Sequence, residues 1–501
     1  MWNLMKVAGC AALCGLMPAS SHTEVTLPQS RCRFALAWAD ITPPADIYHR
    51  MWGAAKHERA TGVHRPLRAT VAVFEPLERS GERQVLLALD HCVMGAVEHG
   101  QLVTHVAQAS GQPAESILVV FSHTHGAGLM GLDRVSLPGG DLIPGYLHSL
   151  AASAAELVNE CLRSLVPAGI VYGRGRCSLA AHRDFWDAAR RQFVCGFNPG
   201  VPADDTVIVA RVTSADGKLL ASIVNYACHP TTLAWDNTLI SPDYVGAMRE
   251  VVEEATGAPC LFLQGACGEL GPREGFVGDT AVADRNGREL GFAALAALTA
   301  LPKAGTKFCY AGPVVSGATL GVWAHAALAP YELAAIASWH LSRWRESLAY
   351  RPGLPTVAQT QAELDEFLAV ESAAQAAGDD ARAAECRALA ERKNRLLHRL
   401  AQLPPGDAYP LQVVLWRLGD AIWVGVQGES YSLLQTELRR RFPDQIIIVA
   451  SIATDWGASY LPPRDYYDTG IYQESIAVVA AGSLEQLIES IAQRMSFSPS
   501  S

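Results

Sequence analysis

Two histidines separated by one residue, in Ser122-His123-Thr124-His125-Gly126, stand directly after the apolar run Ile117 to Phe121. Neutral imidazole binds zinc and charged imidazole donates a proton. A His-x-His pair can therefore supply two metal ligands, or one ligand with an acid/base beside it. Surface histidines at a strand end are the other reading of the same pair. His229 closes a second apolar run, Ile223 to Ala227, and precedes Pro230, which disfavours helix and holds the ring at the strand tip. Glu429 repeats the arrangement, with Ile422 to Val426, then Gln427-Gly428, then the acid, then a helical run from Ser430. A glutamate there can also serve only the dipole of the helix it starts. Two histidines and one carboxylate make a common catalytic zinc set, with a position left open for water or substrate.

Such a set forms only if several strands end at one place, and the patterning predicts strands of that kind. Val71 to Phe74, Val85 to Leu89, Ile117 to Phe121 and Pro259 to Leu263 read as buried strands, and Tyr146 to Leu165 and Asp243 to Ala255 as helices. Val207 to Val212 and Leu219 to Ala227 read as a hairpin, because Asp216-Gly217 supplies the positive φ of a tight turn. Leu411 to Val426 and Ile446 to Ser451 continue the strands, Ser430 to Phe442 reads as a helix, and Leu484 to Met495 is a closing helix. From Pro330 to Leu403 the composition shifts to Ala, Glu, Arg and Leu, with breaks at Arg351 to Pro355 and Gly378-Asp379-Asp380. This segment, 330–403, reads as a helical insertion that either lines the site or packs as a surface hairpin. The whole is an α/β pattern. Because the candidate residues are spread along the chain, it predicts one large domain of mixed β-sheets flanked by helices, with sites at strand carboxyl ends.

The chain has 501 residues, of which 50% are hydrophobic and 18% charged, which excludes a disordered or fibrous protein. A net charge of −10 without a basic cluster argues against a nucleic-acid or anionic-membrane partner and for a small molecule. No internal apolar stretch is long enough to predict a membrane span. Twelve cysteines do not make a disulfide scaffold, and Cys161, Cys260 and Cys386 lie in apolar patterns that suit buried thiols. Val7 to Met17, behind Lys6 and before Pro18-Ala19-Ser20-Ser21, has the length of a signal-peptide core, so residues 1–32 are a candidate leader. If residues 1–21 are a signal peptide the protein is periplasmic or secreted, and otherwise it is cytoplasmic.

With Asn225-Tyr226-Ala227-Cys228-His229-Pro230 added to the Ser-His-Thr-His and Gly428-Glu429 elements, the chain resembles the neutral/alkaline, non-lysosomal ceramidases, zinc-dependent amide hydrolases. Ala39-Asp40-Ile41-Thr42, Gly62-Val63-His64, Arg183, Asn198-Pro199 and Asp204-Asp205 are similar to the family's opening and middle segments. Tyr460-Leu461-Pro462-Pro463-Arg464-Asp465-Tyr466-Tyr467 and Tyr472-Gln473-Glu474 resemble its tyrosine elements. The resemblance runs from about Arg33 to Glu474. It implies a catalytic domain formed by 33–329 and 404–501, without the family's carboxyl-terminal sandwich domain. It further implies that His123, His229, Glu429 and Tyr460 ligate Zn2+, and that His125, Arg183 and Tyr472 surround the substrate carbonyl. In that arrangement zinc activates water and polarises the carbonyl. Each well-placed donor to the oxyanion is worth about 3 to 4 kcal/mol.

One departure bears on mechanism. The family's G-D-V-S-P-N element falls on Gly268-Glu269-Leu270-Gly271-Pro272-Arg273, so its serine is Gly271 here. The expectation is direct attack by zinc-activated water, with Gly271 leaving space for substrate and Cys267 a buried thiol rather than a nucleophile. Nothing in the sequence reads as an interfacial helix with a basic face. An amide or ester in a smaller acylated substrate is therefore expected in place of long-chain ceramide. A non-catalytic ligand-binding protein on the same scaffold, or another zinc-dependent hydrolase, is the competing reading.

Overall fold

The computed structural model describes residues 23–78 and 81–496, so the signal-like run Val7 to Met17 lies outside the described residues. Eight strands form the larger sheet in the spatial order Cys260–Gln264, Leu219–Tyr226, Thr206–Ser214, Val166–Arg176, Gln29–Asp40, Arg68–Glu75, Gln84–Leu89, Ile117–Phe121. In chain order its first strand begins at Gln29. The pair at each edge is parallel, Gln84–Leu89 with Ile117–Phe121 and Leu219–Tyr226 with Cys260–Gln264, and the pairs between are antiparallel. Parallel neighbours need a crossover, and helices Ala96–Ser110 and Tyr244–Thr256 provide one at each edge. The hairpin turns at Asp216-Gly217 as its residues require, with Gly217 at φ 87°.

Period-2 alternation sorts the layers. Val71 and Val73 face a core shared with Leu150 and Val158 of helix Ile143–Ser164. Ala72 and Phe74 face the other way, into a core shared with a second sheet. That sheet runs Trp339–Ala349, Ala408–Leu418, Ala421–Val426, Ile446–Ser451, with its last pair parallel. Phe74 meets the rings of Trp416 and Trp423 edge-on at 4.6 and 5.6 Å. Helices Leu433–Arg441 and Ser483–Ser496 cover the far side of this sheet. The result is a layered α/β fold of two face-packed sheets between helices. The larger sheet curls until its edge strands, Ile117–Phe121 and Cys260–Gln264, approach one another. Among the described residues no helix is long and apolar enough to cross a membrane, and the ten described cysteines are free.

The 330–403 segment is not helical throughout. It holds a short helix, Pro330–Ala335, then the strand Trp339–Ala349, and only then the helical pair Val357–Ala376 and Asp380–Ala401. The strand pairs along its whole length with Ala408–Leu418, so sheet pairing overrides the local composition. Just before it, Thr306–Ser316 and Ala318–Ala327 form a projecting ribbon, flanked on one side by Glu24–Val25. From Phe308 to Ala324 this ribbon has no charged residue. Its hydrophobic side chains are open to solvent, Val315 to 81%.

Candidate functional site

Each parallel edge pair ends on the same side of the molecule, where the following loops meet. After Phe121 the backbone does not continue as a strand. His123 adopts φ 67°, and a short 3-10 turn spans His125–Ala127. The two imidazoles therefore stand nearly perpendicular, at 88°, with ring centres 5.0 Å apart. His229 follows Leu219–Tyr226 from the opposite edge, and its ring lies 4.7 Å from that of His123. Glu429 comes from the second sheet. After Ala421–Val426 the chain turns at Gly428, φ 85°, and Glu429 pairs in parallel register with Tyr460.

One carboxylate oxygen, Glu429 Oε2, lies 3.4 Å from His123 Nε2 and 3.2 Å from His229 Nε2. The Tyr460 hydroxyl is 3.4 Å from His229 Nε2. The other ring nitrogens face backbone: His123 Nδ1 is 2.8 Å from the Cys92 carbonyl and His229 Nδ1 is 2.7 Å from that of Cys267. Those carbonyls can only accept, so each Nδ1 carries a proton and each Nε2 turns to the centre, where a neutral ring offers its lone pair. This is the orientation that a metal-ligating histidine takes. His123, His229 and Glu429 are buried, and their donor atoms all lie within 4.8 Å of one another. Two histidines and a carboxylate fit zinc.

The charges are interdependent. Burial opposes a charge on His123, but Cys92 and Glu429 beside it prevail and raise its pKa to about 10. Burial, then Arg183, hold His229 down at about 3. Burial works against the Glu429 charge too, yet the two histidines hold its carboxyl well below the usual range. Burial pushes His125 well below its ordinary value, helped by its two histidine neighbours. Both of its ring nitrogens are buried without a hydrogen-bond partner. Arg183 donates from one Nη to the Gly268 carbonyl at 2.6 Å and to the Tyr460 hydroxyl at 3.0 Å, and its Nε is unpartnered.

His123, His125, Arg183, Glu429 and Tyr460 border a cavity of about 290 Å³. Its apolar wall includes Met51, Trp52, Val93, Leu129 and Phe276, with the Trp52 ring 5.1 Å from that of His125. Tyr472 edges the opening, 42% exposed, its ring 5.9 Å from that of Tyr460. All the residues expected at a metal or carbonyl are thus brought together. Gly271 is the exception. It sits in the short strand Leu270–Pro272, off the cavity lining, and a Cβ there would lie 3.7 Å from the Thr231 hydroxyl and 3.9 Å from Arg183 Cδ. Thr231, two residues past His229, does line the cavity, and its hydroxyl is buried and unpartnered. Cys267 is buried and its thiol is pushed far up by burial, as expected of a packing residue.

The helix Asp380–Ala401 roofs the cavity, so the insertion lines the site instead of packing as a remote hairpin. Ala388, Glu391, Arg392, Arg395 and Arg399 all face it. Sequence reading missed them, although their i, i+3, i+4 and i+7 spacing marks one helical face. Glu391 accepts from Arg134 at 2.8 Å and from Arg395 at 2.7 Å, and Arg387 pairs with Glu58. These contacts fasten the roof to the loops below.

No family model matches the chain. Over 273 residues it is 25% identical to a neutral ceramidase of Pseudomonas aeruginosa. The match covers 52% of this chain and 39% of that protein, so the chain matches well under half the length of the curated relative. A solved ceramidase complexed with C2 superposes with a TM-score of 0.61 at 17% identity, over 93% of this chain and 74% of the other. The crystal structure of the Pseudomonas aeruginosa neutral ceramidase gives 0.60 at 17%, over 95% and 76%. The local sequence match and the shared fold together relate this chain to the neutral ceramidase family.

Proposed function

We propose that this chain is a zinc-dependent amide hydrolase that cleaves an N-acyl bond with activated water. The observation that carries the reading is the pair of Nε2 atoms, from His123 and His229, gathered on one Glu429 oxygen while both Nδ1 atoms are tied to backbone. His123, His229 and Glu429, with Tyr460, would hold the ion, which supplies Lewis acidity and acidifies water at neutral pH. The protein's own groups do the rest. Arg183 keeps a permanent charge beside the reacting carbonyl, with Nε free to donate to a developing oxyanion. His125, held neutral, carries one N–H and one lone pair into the cavity, which suits passing a proton to the leaving nitrogen. Tyr472 closes the carbonyl side at the opening. With no hydroxyl at Gly271, no covalent acyl intermediate is assigned.

The substrate in this reading is compact. A cavity of about 290 Å³ lies at the small end for ligand sites, and two long alkyl chains do not fit within it. Purified protein should hold about one zinc per chain and hydrolyse short N-acyl amines, with chelator abolishing turnover. His229→Ala should lose both metal and activity. Metal-free protein without turnover of any N-acyl amine or ester sinks the proposal. Zinc retained without turnover favours the non-catalytic binding protein, and turnover of esters alone favours a zinc esterase.

A further inference from the structure

The roof helix brings more positive charge to the cavity than the proposed chemistry uses. Arg183, Arg392, Arg395 and Arg399 line it, against only Glu391 and Glu429. Glu429 is engaged by the two histidines, and Glu391 is shared between Arg134 and Arg395. Arg392 donates to the Ser475 hydroxyl at 2.6 Å, at the rim. Arg399 stands apart. It is 6% exposed, and no carboxylate of the described residues lies within 4 Å of it. Its Nε has no partner, and its one hydrogen bond is a long 3.4 Å contact to the Ile476 carbonyl. The guanidinium lies 4.7 Å over the Trp456 ring, which also lines the cavity. Stacking offsets part of the desolvation of this charge but leaves the buried Nε without a hydrogen-bond partner.

We infer that Arg399, with Arg395 one helical turn before it, forms an anion-binding subsite, so that the substrate is an amide bearing a carboxylate, of the N-acyl amino acid class. This deepens the hydrolase reading and rests on it. A guanidinium with an unpartnered Nε–Nη edge matches a carboxylate in two parallel hydrogen bonds, which a neutral headgroup cannot supply. The surrounding low-polarity wall strengthens that attraction, and the chain's net charge of −10 leaves this cleft as a local reversal of sign. Met51, Val93 and Leu129 on the apolar wall would take the acyl group.

The test compares N-hexanoylglycine, N-hexanoylglycinamide and N-hexanoyl-2-aminoethyl phosphate. Each is measured as substrate of the zinc-loaded full chain and, by calorimetry, as ligand of His229→Ala. The glycine compound should exceed the glycinamide at least tenfold in kcat/KM and in affinity. Arg399→Gln should reduce that ratio below threefold, with the loss falling on the carboxylate compound, and Arg399→Lys should restore part of it. A purely structural role for Arg399 would weaken both compounds alike and leave the ratio, which overturns the subsite. A wild-type ratio near one overturns it as well, and can be read without any Arg399 variant should that variant fail to fold. Tenfold preference for the phosphate compound overturns the carboxylate assignment. If nothing is hydrolysed but the Arg399-dependent binding preference persists, the subsite stands and the hydrolase reading falls.

Discussion

At His123 the backbone enters the left-handed region, which a side chain other than glycine occupies at a cost of about 1–3 kcal/mol. That twist is what turns an imidazole at a strand end towards Glu429. The charge there has a consequence for metal loading. His123 has its pKa raised to about 10 in the absence of metal, and a ligating imidazole must be neutral. Zinc binding near neutral pH should therefore release about one proton, and affinity should rise with pH until His123 is already neutral. Calorimetric titration in buffers of different ionisation enthalpy measures this, and no proton release would place the charge elsewhere. At position 271 an added Cβ meets only ordinary contacts, so Gly271→Ser should fold with a stability change of about 1 kcal/mol or less, read by denaturant unfolding. A change in rate or substrate range in that variant would put its hydroxyl within reach of the reaction; neither would leave Thr231 as the hydroxyl nearest the chemistry. His123, His229 and Glu429 are legible in sequence because each follows an apolar run that ends abruptly. Thr231 is not, since its neighbourhood with Arg183 arises only when a distant strand folds over it.

Among the elements, short connections carry as much of the site as the strands. Glu269 accepts from the backbone N–H of Ser432 with both carboxylate oxygens, at 3.0 and 2.9 Å, and so fixes the start of helix Leu433–Arg441 just after Glu429. Burial pushes Glu269 up to about 7, with Asp184 adding to the shift. In the unfolded chain it titrates near 4.3, so between these values the folded state binds more protons. The group's contribution to stability then falls as pH rises through about 4.3 to 7. Glu269→Gln should flatten that part of the stability profile in denaturant titrations; an unchanged slope would mean that other groups dominate it. The roof helices are legible as helices, while their sequence leaves open whether they line the site or pack as a surface hairpin. Arginines at 392, 395 and 399 look like a solvated face, and the close approach of Gly53 to Ala388, where a Cβ would come within 3.1 Å of the Ala388 Cα, and the pairing of Glu391 with Arg134 show that face to be covered. Residues 339–349 were misread for a related reason. A strand at the edge of a sheet alternates weakly, and its partner Ala408–Leu418 lies beyond two helices.

For the molecule as a whole, the donors converge from both sheets. His123 and His229 come from opposite edges of the larger one and Glu429 from the smaller. Their proximity depends on the curl of one sheet and the docking of the other, neither of which is written in local periodicity. A metal at that junction binds the folded chain and not the unfolded one, so chelation should lower the thermal midpoint by several degrees and zinc should restore it. An unchanged midpoint would argue that the three donors hold no ion. The projecting ribbon has a consequence of a different kind. Ala318–Ala327 is the outer strand of its small sheet, with a backbone edge unpaired among the described residues and no charge to keep another chain from adding to it. The colloidal behaviour of concentrated solutions should therefore be set there rather than by the net charge of −10. Leu320→Lys, placed on that open strand, should suppress concentration-dependent association in sedimentation velocity runs without touching the cavity.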